Sequence, residues 1–155
     1  MTKAAGPQAQ PARLRHAPSW LLGQASLHSH RLLSERFAAN GARGHHYRLL
    51  ATLEEFGPSS QAELGRRTGI DRSDIVAALN EMAAAHLVER SPDPADRRRN
   101  VITLTETGRR RLKELDGVLA EIQDALLAPF TPAERATLTD LLTRLVDHHA
   151  RTDAT

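Results

Sequence analysis

Residues 60–108 constrain the fold more than any other part of the chain. Ser60-Gln61-Ala62-Glu63 has capping-box spacing, in which the serine hydroxyl accepts from the third helical amide and the glutamate reaches back to the serine amide. The helix it starts is short, because Thr68-Gly69 follows closely and glycine permits the left-handed turn that ends a helix. Asp71 is placed to cap a further helix from Arg72 to about His86. Its buried stripe is Ile75, Leu79 and Met82, with Val76 and Ala83 beside it. Two runs then favour extended chain, Leu87-Val88 and Val101-Ile102-Thr103-Leu104. They flank a loop carrying Pro92, Pro94, two aspartates and Arg97-Arg98-Arg99. The expected order is a helix-turn-helix and then a two-stranded hairpin with a cationic tip, a wing. Each half alone has a plainer reading, as a packed helical hairpin or a solvated charged loop. The succession is more specific than either.

Around this segment the chain reads as helix. Aromatic residues make up only 3% of the 155 residues, so the core is aliphatic, and leucine and alanine dominate. A hydrophobic share of 40% is globular, and the length suits one domain. Net charge is +2 but unevenly spread. Residues 90–111 hold seven arginines against Asp93, Asp96 and Glu106, whereas residues 112–155 hold four basic and eight acidic side chains. A basic middle points to a polyanionic partner. Cysteine is absent, which excludes disulfides, thiolate metal sites and thiol redox sensing within the chain. The first residues lack the apolar run of a signal peptide and no segment is a membrane-span candidate, so a cytoplasmic protein without a membrane partner is expected.

Residues 1–17, rich in alanine, proline and glutamine, read as a disordered tail. Ser19 is placed to cap a helix ending at Asn40-Gly41, and a second helix runs from about His45 to Phe56 before Gly57-Pro58. After the hairpin, Thr105 starts a long helix to Leu126 or Leu127. Thr131-Pro132-Ala133-Glu134 then carries the signals for a last one. The first helix and the last two carry more leucine than a small winged core can cover, which points to a homodimer built from them, or to their packing within one chain.

Taken together these residues resemble the MarR family of bacterial winged-helix regulators. The likeness runs from Gly57 to Gly108. It includes an aspartate-x-arginine wing signature on Asp96 and Arg98, and a leucine-threonine-x-x-glycine ending on Leu104, Thr105 and Gly108. The implied fold is mainly α with a small β-hairpin wing: one domain over 18–150, a winged helix-turn-helix lobe at about 44–106, and dimerisation helices at about 18–40 and 105–150. The resemblance implies a dimeric regulator, expected to be a repressor, on a pseudo-palindromic operator in double-stranded DNA. It also implies release of the DNA by a small molecule, often a phenolic acid or another anionic aromatic, bound between the dimer helices and the winged lobe.

On that reading Arg72 and Ser73 meet base edges or nearby phosphates, Ala77 lies near a thymine methyl, and Asp74 orders Arg72 or accepts from a cytosine amine. Amides near Ser60-Gln61 and Asp71-Arg72 suit phosphate oxygens. Arg97 and Arg99 are the phosphate candidates of the wing, while Asp96 and Arg98 hold its tip in shape or reach DNA themselves. For the effector, Trp20, His30, His45 and Arg48 stand out among the aromatic, imidazole and arginine groups of the first two long helices, with core packing and solvation as the plainer account. None of the eight histidines has the i, i+4 spacing of a helical zinc pair, so no metal or cofactor is expected. Without a phosphate loop or nucleophile elbow the chain is not expected to be an enzyme. The competing reading is a winged-helix module for protein contacts, or a structural dimer, without operator specificity.

Overall fold

The computed structural model describes residues 11–153, which fall into two compact units, one ending at Ile122 and one beginning at Gln123. The elements run α1 (Ala12–Arg15), α2 (Pro18–Ala39), α3 (Gly44–Phe56), β1 (Ser59–Ser60), α4 (Gln61–Thr68), α5 (Arg72–Ala84), β2 (Val88–Pro92), β3 (Asn100–Leu104), α6 (Glu106–Leu126) and α7 (Pro132–Asp153). This is the mainly helical winged fold expected. Residues 1–10 of the expected tail lie outside the described residues, and Ala12–Arg15 form a turn of helix rather than tail.

Helix ends follow local chemistry. Gly69, at the end of α4, is left-handed (φ 65°), and its amide donates to the Gly65 carbonyl. Asn40 ends α2, and the next residue, Gly41, has φ 66°. Two expected caps are not made. The helix expected to be capped by Ser19 starts two residues earlier, on Pro18, whose ring fixes a helical φ, with Ala17 at the cap and Ser19 inside the first turn. Asp71 occupies the N-cap position of α5, yet its side chain accepts no hydrogen bond there.

The first unit has a continuous aliphatic core. Leu49, Leu50 and Leu53 of α3 meet Leu64 of α4 and Ile75, Ala78, Leu79 and Met82 of α5, with Val88, Ile102, Leu112, Leu115 and Ile122 from the sheet and α6. Spacings of three, four and seven residues put these α5 positions on one face. Val76, expected beside that stripe, is instead exposed, and Ala78 takes the buried place. Each fully buried leucine or isoleucine contributes roughly 1.5–3 kcal/mol. From α2, Phe37 is buried and stacks on Tyr47 with ring centroids 5.7 Å apart; the Tyr47 hydroxyl donates to Asp116 of α6 at 2.8 Å.

The sheet has three strands in the order β1-β3-β2, all antiparallel, not the two of a simple hairpin. Val88 pairs with Leu104 and Pro92 with Asn100, so Pro92 ends a strand instead of breaking one. Ser59 and Ser60 pair with Ile102 and Val101, which ties the start of α4 to the wing.

The root of the wing is tight. The Thr105 hydroxyl lies 2.7 Å from the His86 carbonyl and 3.0 Å from that of Leu87, and its oxygen accepts from the Gly108 amide at 2.9 Å. The Thr105 amide donates to Leu87 O at 3.1 Å. His86 itself takes a left-handed turn, with φ 58°. A Cβ on Gly108 would lie 2.1 Å from the Leu87 carbonyl oxygen and 2.6 Å from a Leu104 methyl.

In the second unit Thr131 and Glu134 form a capping box at the start of α7, with bonds of 2.8 and 3.3 Å. Arg135 donates to Asp124 at 2.7 Å and to the Leu127 and Phe130 carbonyls. Leu141, Leu142, Leu145 and Val146 of α7 are exposed.

Because the obstacle at Gly108 is backbone, the chain has little room to give. Gly108→Ala should therefore cost about 3 kcal/mol or more, seen as a lower urea midpoint with an unchanged denaturant slope.

Candidate nucleic-acid interface

A cleft of about 660 Å³ opens where α4, the start of α5 and the wing converge. Its walls are Ser60, Gln61, Ala62, Gly65 and Arg66 on one side, Ile70, Arg72 and Ile75 on the second, and Arg98, Arg99 and Asn100 on the third. Four arginines and no carboxylate line it. Among the described residues no carboxylate comes within ion-pair distance of Arg66, Arg72, Arg97 or Arg99. Cations gathered in this way with so little counter-charge make a strong anion field. Arg97 lies outside the cleft walls, and Ser73, Asp74 and Ala77 lie on the exposed face of α5.

The wing tip is built by its two aspartates. Asp93 Oδ1 accepts from the Ala95 amide at 2.8 Å, and Asp96 Oδ1 from the Arg98 amide at 3.1 Å. Asp93 N donates to the Arg99 carbonyl at 2.8 Å and Arg99 N to the Asp96 carbonyl at 2.9 Å. Asp96 also meets Arg98 Nε at 3.3 Å, but the Arg98 side chain is 93% exposed. An ion pair that open adds little stability, so its effect is to aim the guanidinium.

At the start of α4 the capping box is complete: Ser60 N donates to Glu63 at 2.7 Å and Glu63 N to Ser60 Oγ at 3.2 Å. The amides left for an outside anion are those of Gln61 and Ala62. Hydrogen bonds from the Ser60 amide, then from its hydroxyl, hold the Glu63 carboxyl below its ordinary value, helped by Arg66 and Arg67. A depressed acid stabilises the fold above its unfolded value, and that support is lost as pH falls through the lower folded one. At α5 the uncapped Asp71 leaves the first-turn amides without a side-chain partner.

The edge of α5 toward α3 is polar. His45 Nε2 faces Asp74 at 3.9 Å. His46 Nε2 lies 2.9 Å from Glu81, which also sits 3.5 Å from Arg43. Facing a carboxylate, the His46 Nε2 must carry the proton. Burial lowers the His46 pKa from 6.5 in spite of Glu81, with Arg43 and His45 adding to the fall. Farther along α3, Arg48 donates to the Thr68 carbonyl at the end of α4, at 3.0 Å.

A family model described as MarR family matches residues 41–99, which contain α3, α4, α5 and the wing as far as Arg99. A probable transcriptional regulator from Pseudomonas aeruginosa shares the fold, with a TM-score of 0.75 and 34% identity over 86% of this chain and 99% of its own. The chain belongs to the MarR family. Another MarR-like relative, the transcriptional repressor NicR of Pseudomonas putida, is 35% identical over 98 residues, 63% of this chain and 62% of NicR. As with other curated relatives, the chain spans less than two thirds of NicR's own length. A further solved structure, of Bordetella bronchiseptica BpsR, has a TM-score of 0.75 and 25% identity over 89% of this chain and 99% of its own. That work concerns regulation of BpsR DNA binding by 6-hydroxynicotinic acid.

In this MarR-family chain the four ligand candidates are spread out. Trp20 is half-buried and His30 exposed on α2. His45 is half-buried beside Asp74, and Arg48 is turned to Thr68. Neither the cleft described above nor the smaller one against α7 (Phe130, Ala133, Leu138 and Leu141 among its walls) includes any of them. Among the described residues no group of three or more histidine, cysteine, aspartate or glutamate side chains is placed to hold a metal, and no helix is long and apolar enough to cross a membrane. Sequence reasoning missed Arg66 and Asn100 in the cleft. Arg66 follows the capping box by three residues, one helical turn past Glu63, and that spacing was a usable signal.

The cap gives a direct check. Ser60→Ala should lower unfolding free energy by about 1 kcal/mol at neutral pH, with a smaller difference in acid, where Glu63 is protonated in both proteins.

Proposed function

We propose that this chain is a DNA-binding transcriptional regulator acting as a homodimer in the cytoplasm, a repressor on a pseudo-palindromic operator that a small anionic aromatic ligand makes it release. The observation that carries this reading is the cleft where Arg66, Arg72, Arg98 and Arg99 converge with no carboxylate in its walls, beside the exposed face of α5. A helix of this kind enters a major groove with Arg72 and Ser73 leading and Ala77 near the bases. Asp74 then reads a cytosine amine or stays on His45. The free Gln61 and Ala62 amides and the α5 first turn hold phosphates, and Arg97, Arg98 and Arg99 follow the adjacent backbone with Asp96 shaping the tip.

Dimerisation is supported by leucine left uncovered in each unit. Leu21, Leu22 and Leu27 of α2 are exposed, as are Leu141, Leu142, Leu145 and Val146 of α7. A monomer rarely leaves such stripes to water. Repression and ligand release are supported by the relatives, NicR being named a repressor and BpsR being regulated by an aromatic acid. Trp20, His30, His45 and Arg48 are the proposed ligand groups, an arginine and imidazoles being suited to an aryl carboxylate.

Three measurements test this. Binding of a duplex enriched from a random pool should weaken steeply with salt, and the Arg97→Ala/Arg99→Ala double variant should lower the log–log slope by about two, one for each phosphate that is no longer neutralised. An unchanged affinity and slope would remove the wing from the phosphates. Leu145→Arg should shift the protein from dimer to monomer in sedimentation, and the wild-type footprint should show two half-sites about 34 Å apart along the duplex.

A further inference from the structure

We propose that the α3–α5 seam, in which His45 faces Asp74 and His46 with Arg43 holds Glu81, positions the DNA-reading helix. The proposal rests on the reading of α5 given above, and assigns a role to residues that do not themselves line the cleft. Asp74 and Glu81 are seven residues apart, two turns and about 10.5 Å along the axis of α5. Adjacent residues on α3 point about 100° apart, so His46 bonds Glu81 at 2.9 Å while the His45 ring lies on the Asp74 side, 3.9 Å from its carboxylate. The His46–Glu81 hydrogen bond, with Arg43 beside it, resists rotation of α5 about its axis, while the His45–Asp74 contact, 3.9 Å long and outside hydrogen-bond reach, adds a weaker electrostatic restraint nearer the first turn. The core stripe Ile75, Ala78, Leu79 and Met82 fixes which face is buried. Dispersion contacts are non-directional, however, and tolerate small rotations better than a hydrogen bond does. Arg48 on the next turn of α3 holds the Thr68 carbonyl, so the same helix also anchors α4.

The grip at Glu81 depends on protonation. Glu81 and Arg43 face the His46 ring, with His45 beside it. The neutral ring donates to Glu81. A second proton strengthens that attraction, but burial and the charges of Arg43 and His45 outweigh it. The folded state therefore binds protons less readily than the unfolded chain, and acid opposes the native seam as pH falls below the ordinary imidazole value.

The test compares the preference of each variant for the enriched duplex over a random duplex of equal length, by fluorescence anisotropy at about pH 7.5 and about pH 5.5. Taking the ratio cancels effects on non-specific binding. Glu81→Ala and His46→Ala should lower the preference about tenfold, the size of one mismatched base pair, with random-duplex affinity within about twofold. His46→Gln keeps a donor to Glu81 and cannot titrate. It should retain the preference at the higher pH and lose the wild-type decline at the lower. Thermal melts of all the variants identify any that fail to fold, and His46→Gln, which keeps its hydrogen bond, carries the test if Glu81→Ala does. A wild-type preference that survives both alanine variants overturns the positioning role. Equal weakening on both duplexes reduces the seam to general stability and also overturns it. A wild-type protein with no preference for any duplex overturns the underlying reading of the interface, a failure distinct from the other two.

Discussion

The structure turns on one side chain. Thr105 bonds the His86 and Leu87 carbonyls, accepts the Gly108 amide, and through its own amide closes on Leu87 again. The exit from α5, the end of β3 and the start of α6 thus meet within a few ångströms. A glycine at residue 108 is what lets the backbone of α6 come so near. Remove the close approach and α6 can no longer place Leu112 and Leu115 in the core while Leu104 pairs with Val88. The direction of the wing relative to α5 follows from this joint, since β2 leaves from Leu87 and β3 returns to Thr105.

With the wing's root fixed, its tip needs only local chemistry. Asp93 and Asp96 turn the chain through bonds to amides two residues on, which is what short acidic side chains do well. Their charge is directed to the backbone and to Arg98, and among the described residues no carboxylate pairs with Arg97 or Arg99. An acidic residue inside a basic loop looks at first like a defect in an anion-binding site. Here it is the means by which the loop acquires a shape.

Much of this was legible in the sequence where the physics is local. The capping boxes at Ser60 and Thr131, the glycine ends at Gly41 and Gly69, and the helix start at Thr105 are set by residues within four positions of each other. The MarR likeness was legible too, because its wing signature and its Leu-Thr-x-x-Gly ending fall on contiguous chain. What escaped depended on distant partners. β1 is two serines with no preference for extended chain, and it exists only because Val101 and Ile102 offer backbone partners. Val76 and Ala78 both lie near the stripe of α5, and which is buried depends on the helix facing them. The carboxylate partner of His46 lies 35 residues away. Asp71 shows that a suitable residue at a cap position can leave the bond unmade.

Ser59 and Ser60 belong to two structures at once. Their backbones extend the sheet, and the Ser60 side chain and amide begin α4. One dipeptide is therefore covalently continuous with α4 and hydrogen-bonded to β3, which joins the start of the helix to the return strand of the wing. At its other end α4 is tied to α3, where Arg48 donates to the Thr68 carbonyl, so this short helix is anchored at both ends by neighbours from elsewhere in the chain.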